Sequence, residues 1–179
     1  GWSHYNTRAL GPGDLNGDGF PDAILAYSEG SANMMTDGLV AIYRGSANGL
    51  EATPVQVLVG RMRDDRFGIS VAVADFDRDG HMDLAVGVLN DDEGGGDAGA
   101  VHLFRGVAEG FFDEDSRTIL MPERGGEQLG RAMAACDFNG DGFVDLAVTA
   151  ERYENRERGL NLADQGGIYV FLGSESGLE

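Results

Sequence analysis

The chain has 179 residues, enough for one ordinary domain with a sizeable core. Its 31 acidic residues against 13 basic ones give a formal charge of -18, which argues against nucleic acid and against electrostatic docking on anionic lipid. Cys136 is the only cysteine, so no intramolecular disulfide can form, and no apolar stretch approaches the ~20 residues of a membrane helix.

In chain order the elements fall into three copies of one unit, at residues 1–60, 61–121 and 122–179. The first copy opens with NTRALGPG, a degraded strand pattern that contains Pro12. It continues with the acidic loop DLNGDGFPD (Asp14 to Asp22) and the apolar run DAILAYS. After a polar segment come the glycine-led strand GLVAIYRG, the turn SANGL and an outer strand, PVQVLVG. The second copy opens with FGISVAVA, where Ile69, Val71 and Val73 alternate with small residues at the period of a strand. Its loop is DFDRDGHMD (Asp75 to Asp83), followed by DLAVGVL, GAVHLFRG, the turn VAEGF and RTILMP. The third copy runs LGRAMAAC, DFNGDGFVD (Asp137 to Asp145), DLAVTAE, GGIYVFLG and SESGL, and stops before an outer strand. Loop starts are 61 and 62 residues apart, and a period of this size marks stacked supersecondary units.

Four short strands linked by tight turns describe one antiparallel sheet, and no segment has sustained helical periodicity. A sheet of about 60 residues cannot bury both faces alone; radial stacking of such sheets is the β-propeller, usually with 4 to 8 blades. The expected fold is therefore all-β, built of propeller blades. Three copies are few for a ring. Three arrangements stay open: a piece of a longer propeller, a ring completed by self-association, or an unusual three-sheet form. Cys136 aligns with Gly13 and Ala74, a position for a small buried residue, so an inert core thiol is expected.

Each loop has the donor spacing of a calcium site. Positions 1, 3 and 5 are Asp14, Asn16 and Asp18; Asp75, Asp77 and Asp79; and Asp137, Asn139 and Asp141. Gly19, Gly80 and Gly142 take position 6, where the turn is sharp. The carbonyls of Phe20, His81 and Phe143 can serve from position 7, and Asp22, Asp83 and Asp145 close the set at position 9. An EF-hand needs glutamate at position 12 between helices, but Leu25, Val86 and Val148 stand there in strand-like runs. Zinc would call for histidine or thiolate, and so many protein oxygens disfavour magnesium. Three calcium ions are expected, each fixing the first turn of its sheet.

The repeat resembles the FG-GAP repeats of the integrin alpha-subunit propeller and its bacterial relatives, over nearly the whole chain. Phe67-Gly68 fits the FG element and Gly87-Val88-Leu89 lies at the GAP element. The other copies carry Leu129-Gly130 with Thr149-Ala150-Glu151, and Asn6-Thr7 with Ala26-Tyr27-Ser28. The resemblance implies partners docking opposite the calcium loops, on residues 28–37, 90–97 and 151–165, with 61–66 and 123–127 between sheets. The longest of these, ERYENRERGLNLADQ, carries Tyr153 with Arg152, Arg156 and Arg158, residue types that often anchor interfaces.

No nucleophile elbow, phosphate loop or zinc-protease motif is present. His4, His81 and His102 do not share a repeat position, and Asp91, Asp92 and Glu93 read as a solvated loop. The expectation is a calcium-stabilised, non-enzymatic module outside the cell that binds protein or glycan. The alternative is the propeller part of an extracellular enzyme, of phospholipase or polysaccharide lyase type.

Overall fold

A computed structural model describes residues 7–28, 38–62, 64–108, 111–153 and 165–179. The first sheet takes β1 (Thr7–Gly13), β2 (Asp22–Tyr27), β3 (Leu39–Tyr43) and β4 (Gln56–Val59), side by side in chain order. The second repeats this with β5 (Phe67–Ala74), β6 (Asp83–Val88), β7 (Ala100–Gly106) and β8 (Phe112–Leu120). In the third, β9 (Leu129–Cys136), β10 (Asp145–Ala150) and β11 (Gly167–Phe171) form three strands. Beyond them β12 (Gly173–Ser174) and β13 (Gly177–Leu178) make a two-residue ladder. Leu172 and Glu179 extend it by exchanging backbone bonds of 2.9 Å in both directions. All pairings are antiparallel within the sheets, as the alternation and short turns require.

Two strands differ from their sequence pattern for identifiable reasons. In β1 the register shifts between Leu10 and Gly13, so a bulge on an edge strand absorbs Pro12. β8 begins at Phe112, five residues before Arg117, where the apolar pattern begins. Its first residues pair Phe112 with Gly106 and Asp113 with Arg105 before the register slips, and this polar, bulged start carries no alternation to read.

The sheets stack face to face around two cores. One sets Ile24, Val40, Ile42 and Leu58 of the first sheet against Phe67, Leu84, Val86 and Phe104 of the second. The other sets Ala85, Val101 and Leu103 of the second against Leu129, Leu146 and Val148 of the third. Every residue of β6 is buried, because the middle sheet is covered on both faces. β2 alternates instead, as expected of a strand packed on one face.

Glycines let the sheets close up. A Cβ on Gly99 would lie 2.3 Å from the Leu129 carbonyl oxygen, and one on Gly87 would lie 2.2 Å from that of Gly130. Phe67-Gly68, Leu129-Gly130 and Gly87 are thus the points at which neighbouring backbones touch.

The first strands converge on one axis, where Arg8, Leu10, Ser70, Val71, Ala132 and Met133 line a cavity of roughly 330 Å³. Antiparallel sheets stacked about such an axis are propeller blades; the fold is all-β, and no helix occurs among the described residues. Cys136 departs from expectation: it is exposed, not a core thiol. It ends β9, a strand of the third sheet, which packs on a neighbour through one face, whereas Ala74 ends a strand of the middle sheet, which is covered on both faces.

Candidate metal centres

The three acidic loops join the first and second strands, so all lie at one end of the stack. Each is held by the same self-made bonds. The position 1 carboxylate accepts the N–H of the position 6 glycine: Gly19 to Asp14 at 2.7 Å, Gly80 to Asp75 at 3.1 Å and Gly142 to Asp137 at 3.0 Å. Position 5 accepts from position 7, with Phe20, His81 and Phe143 donating at 2.9, 2.8 and 2.8 Å. Position 3 accepts from position 5, at 3.1 Å to Asn16, 3.2 Å to Asp77 and 2.9 Å to Asn139. Alternate side chains are thereby turned inward.

Position 9 does something the spacing did not reveal. Asp22, Asp83 and Asp145 are buried, and each uses both oxygens on backbone donors. One oxygen accepts from the position 2 residue, with Leu15, Phe76 and Phe138 donating at 2.8, 3.1 and 2.8 Å. The other accepts from the glycine that ends the third-strand segment, with Gly45, Gly106 and Gly173 at 2.8, 2.9 and 2.9 Å. Those glycines are obligatory. A Cβ there would fall 2.0, 2.4 and 2.4 Å from the carbonyl oxygens of Pro21, Met82 and Val144. Each position 9 aspartate therefore clasps its loop to the far strand, while the remaining lone pairs stay open to a cation.

Oxygens of Asp75, Asp77 and Asp83 lie within 4.8 Å of one another, a grouping able to hold a metal ion. Burial pushes Asp83 up to about 6, and the charges of Asp77 and Asp79 add to the rise. Asp145 makes the same two backbone bonds but is held below the ordinary carboxylate range, first by the Gly173 N–H. Position 3 differs between the two loops: it is Asp77 in one and Asn139 in the other. The amides of Asn16 and Asn139 donate to Asp18 and Asp141 at 3.0 and 2.7 Å, a bond that Asp77 cannot make.

At the opposite end the copies diverge. In the second sheet His102 Nε2 lies 3.0 Å from Asp91 Oδ2, both buried, and the His102 ring packs on Phe67 with centroids 5.9 Å apart. Burial pushes Asp91 up, but the bonds from His102 and the Glu93 N–H outweigh it and leave the carboxyl below its ordinary range. The reading of Asp91 as solvated is thereby corrected; only Asp92 and Glu93 are exposed. In the third sheet the corresponding residues are Tyr153 and Tyr169, whose rings meet edge-on at 6.0 Å. Tyr169 donates to Glu127 at 2.5 Å, and burial together with that acceptor pushes its hydroxyl up to about 12.

Tyr153 is half-buried in this contact and Arg152 is exposed, while Arg156 and Arg158 lie outside the described residues. So do His4 and most of 28–37 and 151–165. No sequence signal paired Asp91 with His102, because neither type recurs in another copy.

Antiparallel sheets that each carry one copy of the same acidic turn are the blades of a repeat-built propeller. The FG-GAP-like repeat model matches residues 7–86 and the FG-GAP repeat model matches residues 129–171. The chain belongs to the FG-GAP repeat family and is an integrin-alpha-like propeller. It is 34% identical over 119 residues, 63% of its length, to phosphatidylinositol-glycan-specific phospholipase D of Homo sapiens. Over 135 residues, 72% of the chain, it is 36% identical to integrin alpha-V of Gallus gallus, and over 153 residues, 80% of the chain, 28% identical to integrin alpha-E of Mus musculus. The chain spans 14%, 12% and 13% of these three relatives, respectively. Among the described residues, no helix is long and apolar enough to cross a membrane.

Proposed function

We propose that the chain is a calcium-stabilised, non-enzymatic binding or adhesion module, working outside the cell or at its surface. The observation that carries this is the threefold recurrence of one oxygen-lined turn whose carboxylates are oriented by the same backbone bonds. All of its donors are hard oxygens, the chemistry calcium prefers. Asp14, Asn16, Asp18 and Asp22 would hold one ion, with the Phe20 carbonyl. Asp75, Asp77, Asp79 and Asp83 would hold the second with the His81 carbonyl, and Asp137, Asn139, Asp141 and Asp145 the third with that of Phe143. Each ion would neutralise carboxylates that otherwise repel one another, and so lock the first turn of its blade. Millimolar extracellular calcium would fill even modest sites.

A protein or glycan would dock on the opposite end, where connections differ from blade to blade. Arg152, Tyr153, Arg156 and Arg158 are the residues we assign there. Tyr153 would act through its exposed edge, since its other side packs on Tyr169. The outward faces of the first and third sheets carry exposed Val57 and Val59, and Ile168 and Val170, an arrangement suited to further blades of a longer ring or to a second copy. Glycan arrays and protein pull-downs in calcium test the binding role. Retention that is unchanged when the opposite-end loops are substituted would contradict it.

The similarity to a phospholipase D favours one second reading, in which these blades are the propeller part of an extracellular enzyme. Turnover of phospholipid by the purified chain would select that reading.

A further inference from the structure

The middle loop carries one more carboxylate than the others, because position 3 is Asp77 where they have asparagine. A cationic group stands beside it. Arg105, at the end of β7, places one guanidinium nitrogen 3.7 Å from Asp77 Oδ2. The second donates to the Ser176 carbonyl of the third blade at 2.9 Å. Among the described residues, the other copies have no equivalent pair. The matching residue of the first is Arg44, which lies over the Phe111 ring at 5.6 Å, and that of the third is Leu172. Arg78, within the middle loop itself, is directed away, over Phe143 at 5.1 Å.

We infer that Arg105 is a built-in counter-ion of the middle site, holding Asp77 while the site is empty and competing with the entering divalent cation. This rests on the calcium reading of the loops. In the outer loops an asparagine amide already occupies the position 5 carboxylate and leaves one less charge to neutralise. In the middle loop that amide is missing, and the arginine supplies the compensation from another strand. The asymmetry of the pair fits the role: the Asp77 side chain is 5% exposed but that of Arg105 is 47% exposed, so the guanidinium can withdraw when the ion enters. Arg105 thus makes the middle site weaker than its four carboxylates alone would make it. It also links the occupancy of that site to the contact with the third blade.

The test is a calcium titration of the 179-residue chain followed by amide NMR. Gly19, Gly80 and Gly142 report the three loops separately. Arg105→Gln should tighten the Gly80-reported site on the order of tenfold, the effect of removing one charge a few ångströms from a divalent ion in partly solvated surroundings. The Gly19 and Gly142 sites should stay within about twofold, and Arg105→Lys should stay near wild type. In an Asp77→Asn background the gain from Arg105→Gln should shrink. Calcium binding with a Gly80 site unchanged or weakened in Arg105→Gln overturns the counter-ion role alone. An equal gain in the Asp77→Asn background also overturns it, by assigning the effect to long-range charge. A wild-type chain in which none of the three glycines responds overturns the calcium reading itself.

Discussion

The two ends of the stack are built on opposite plans. At the loop end the same bonds recur three times, down to the glycine that each position 9 aspartate grips. At the other end the matching positions hold Asp91 with His102 in one blade and Tyr153 with Tyr169 in the next. Repetition belongs where every blade faces one problem, which is closing a charged turn against its own sheet. Divergence belongs where blades need not agree. Under the proposed function, scaffold and recognition would be separated by the length of a strand.

This contrast can be broken from either side. The largest effect should come from calcium removal. At free calcium one hundred times the dissociation constant, each site adds about 2.7 kcal/mol. Three such sites should shift the melting temperature by roughly 15–30 °C, read by calorimetry with and without chelator. An unchanged transition would mean that the repeated end holds without metal.

His102→Ala should be the next most damaging, at about 3–5 kcal/mol, because Asp91 would stay buried with its partner gone. Calcium affinity should remain unaltered if the two ends are independent. The pH dependence follows from the depressed carboxyl of Asp91. Its contribution is present above the ordinary value of 3.8 and is lost as pH falls through the lower folded value. The stability difference between wild type and Asp91→Asn should therefore narrow in acid.

Gly106→Ala should cost about 1–3 kcal/mol, since the added methyl meets the Met82 carbonyl oxygen at 2.4 Å. Gly96→Ala, with nothing within 4 Å, should stay within about 0.5 kcal/mol in the same denaturation experiment. Tyr169→Phe should cost about 1 kcal/mol through the lost bond to Glu127. The smallest effect is expected for Arg131→Ala, which breaks an exposed pair with Glu151 at 3.5 Å and should cost under about 0.5 kcal/mol.

What could be read from the sequence follows the same division. The loop end was legible because alternating oxygens and a position 6 glycine are local patterns, and three copies checked one another. The second role of Asp22, Asp83 and Asp145 was not legible, because their partners Gly45, Gly106 and Gly173 meet them only when the sheet forms. The glycines themselves were visible as a recurring strand end, without a reason. Asp91, in the connection after β6, read as solvated because its partner His102 lies eleven residues away on β7 and meets it only when the sheet forms. Cys136 was misplaced for the converse reason: sharing a repeat position with Ala74 did not give it the same covering sheet. The start of β8 was hidden by its polar, bulged residues.

The central claim is that the three turns are cation sites, one per blade. Calorimetric titration of the metal-free chain with calcium measures this directly, by counting ions bound per chain. Three ions are predicted, falling to two when Asp75 and Asp79 are both replaced by asparagine. Saturation without any bound ion, or a count that this double replacement leaves unchanged, would contradict the account.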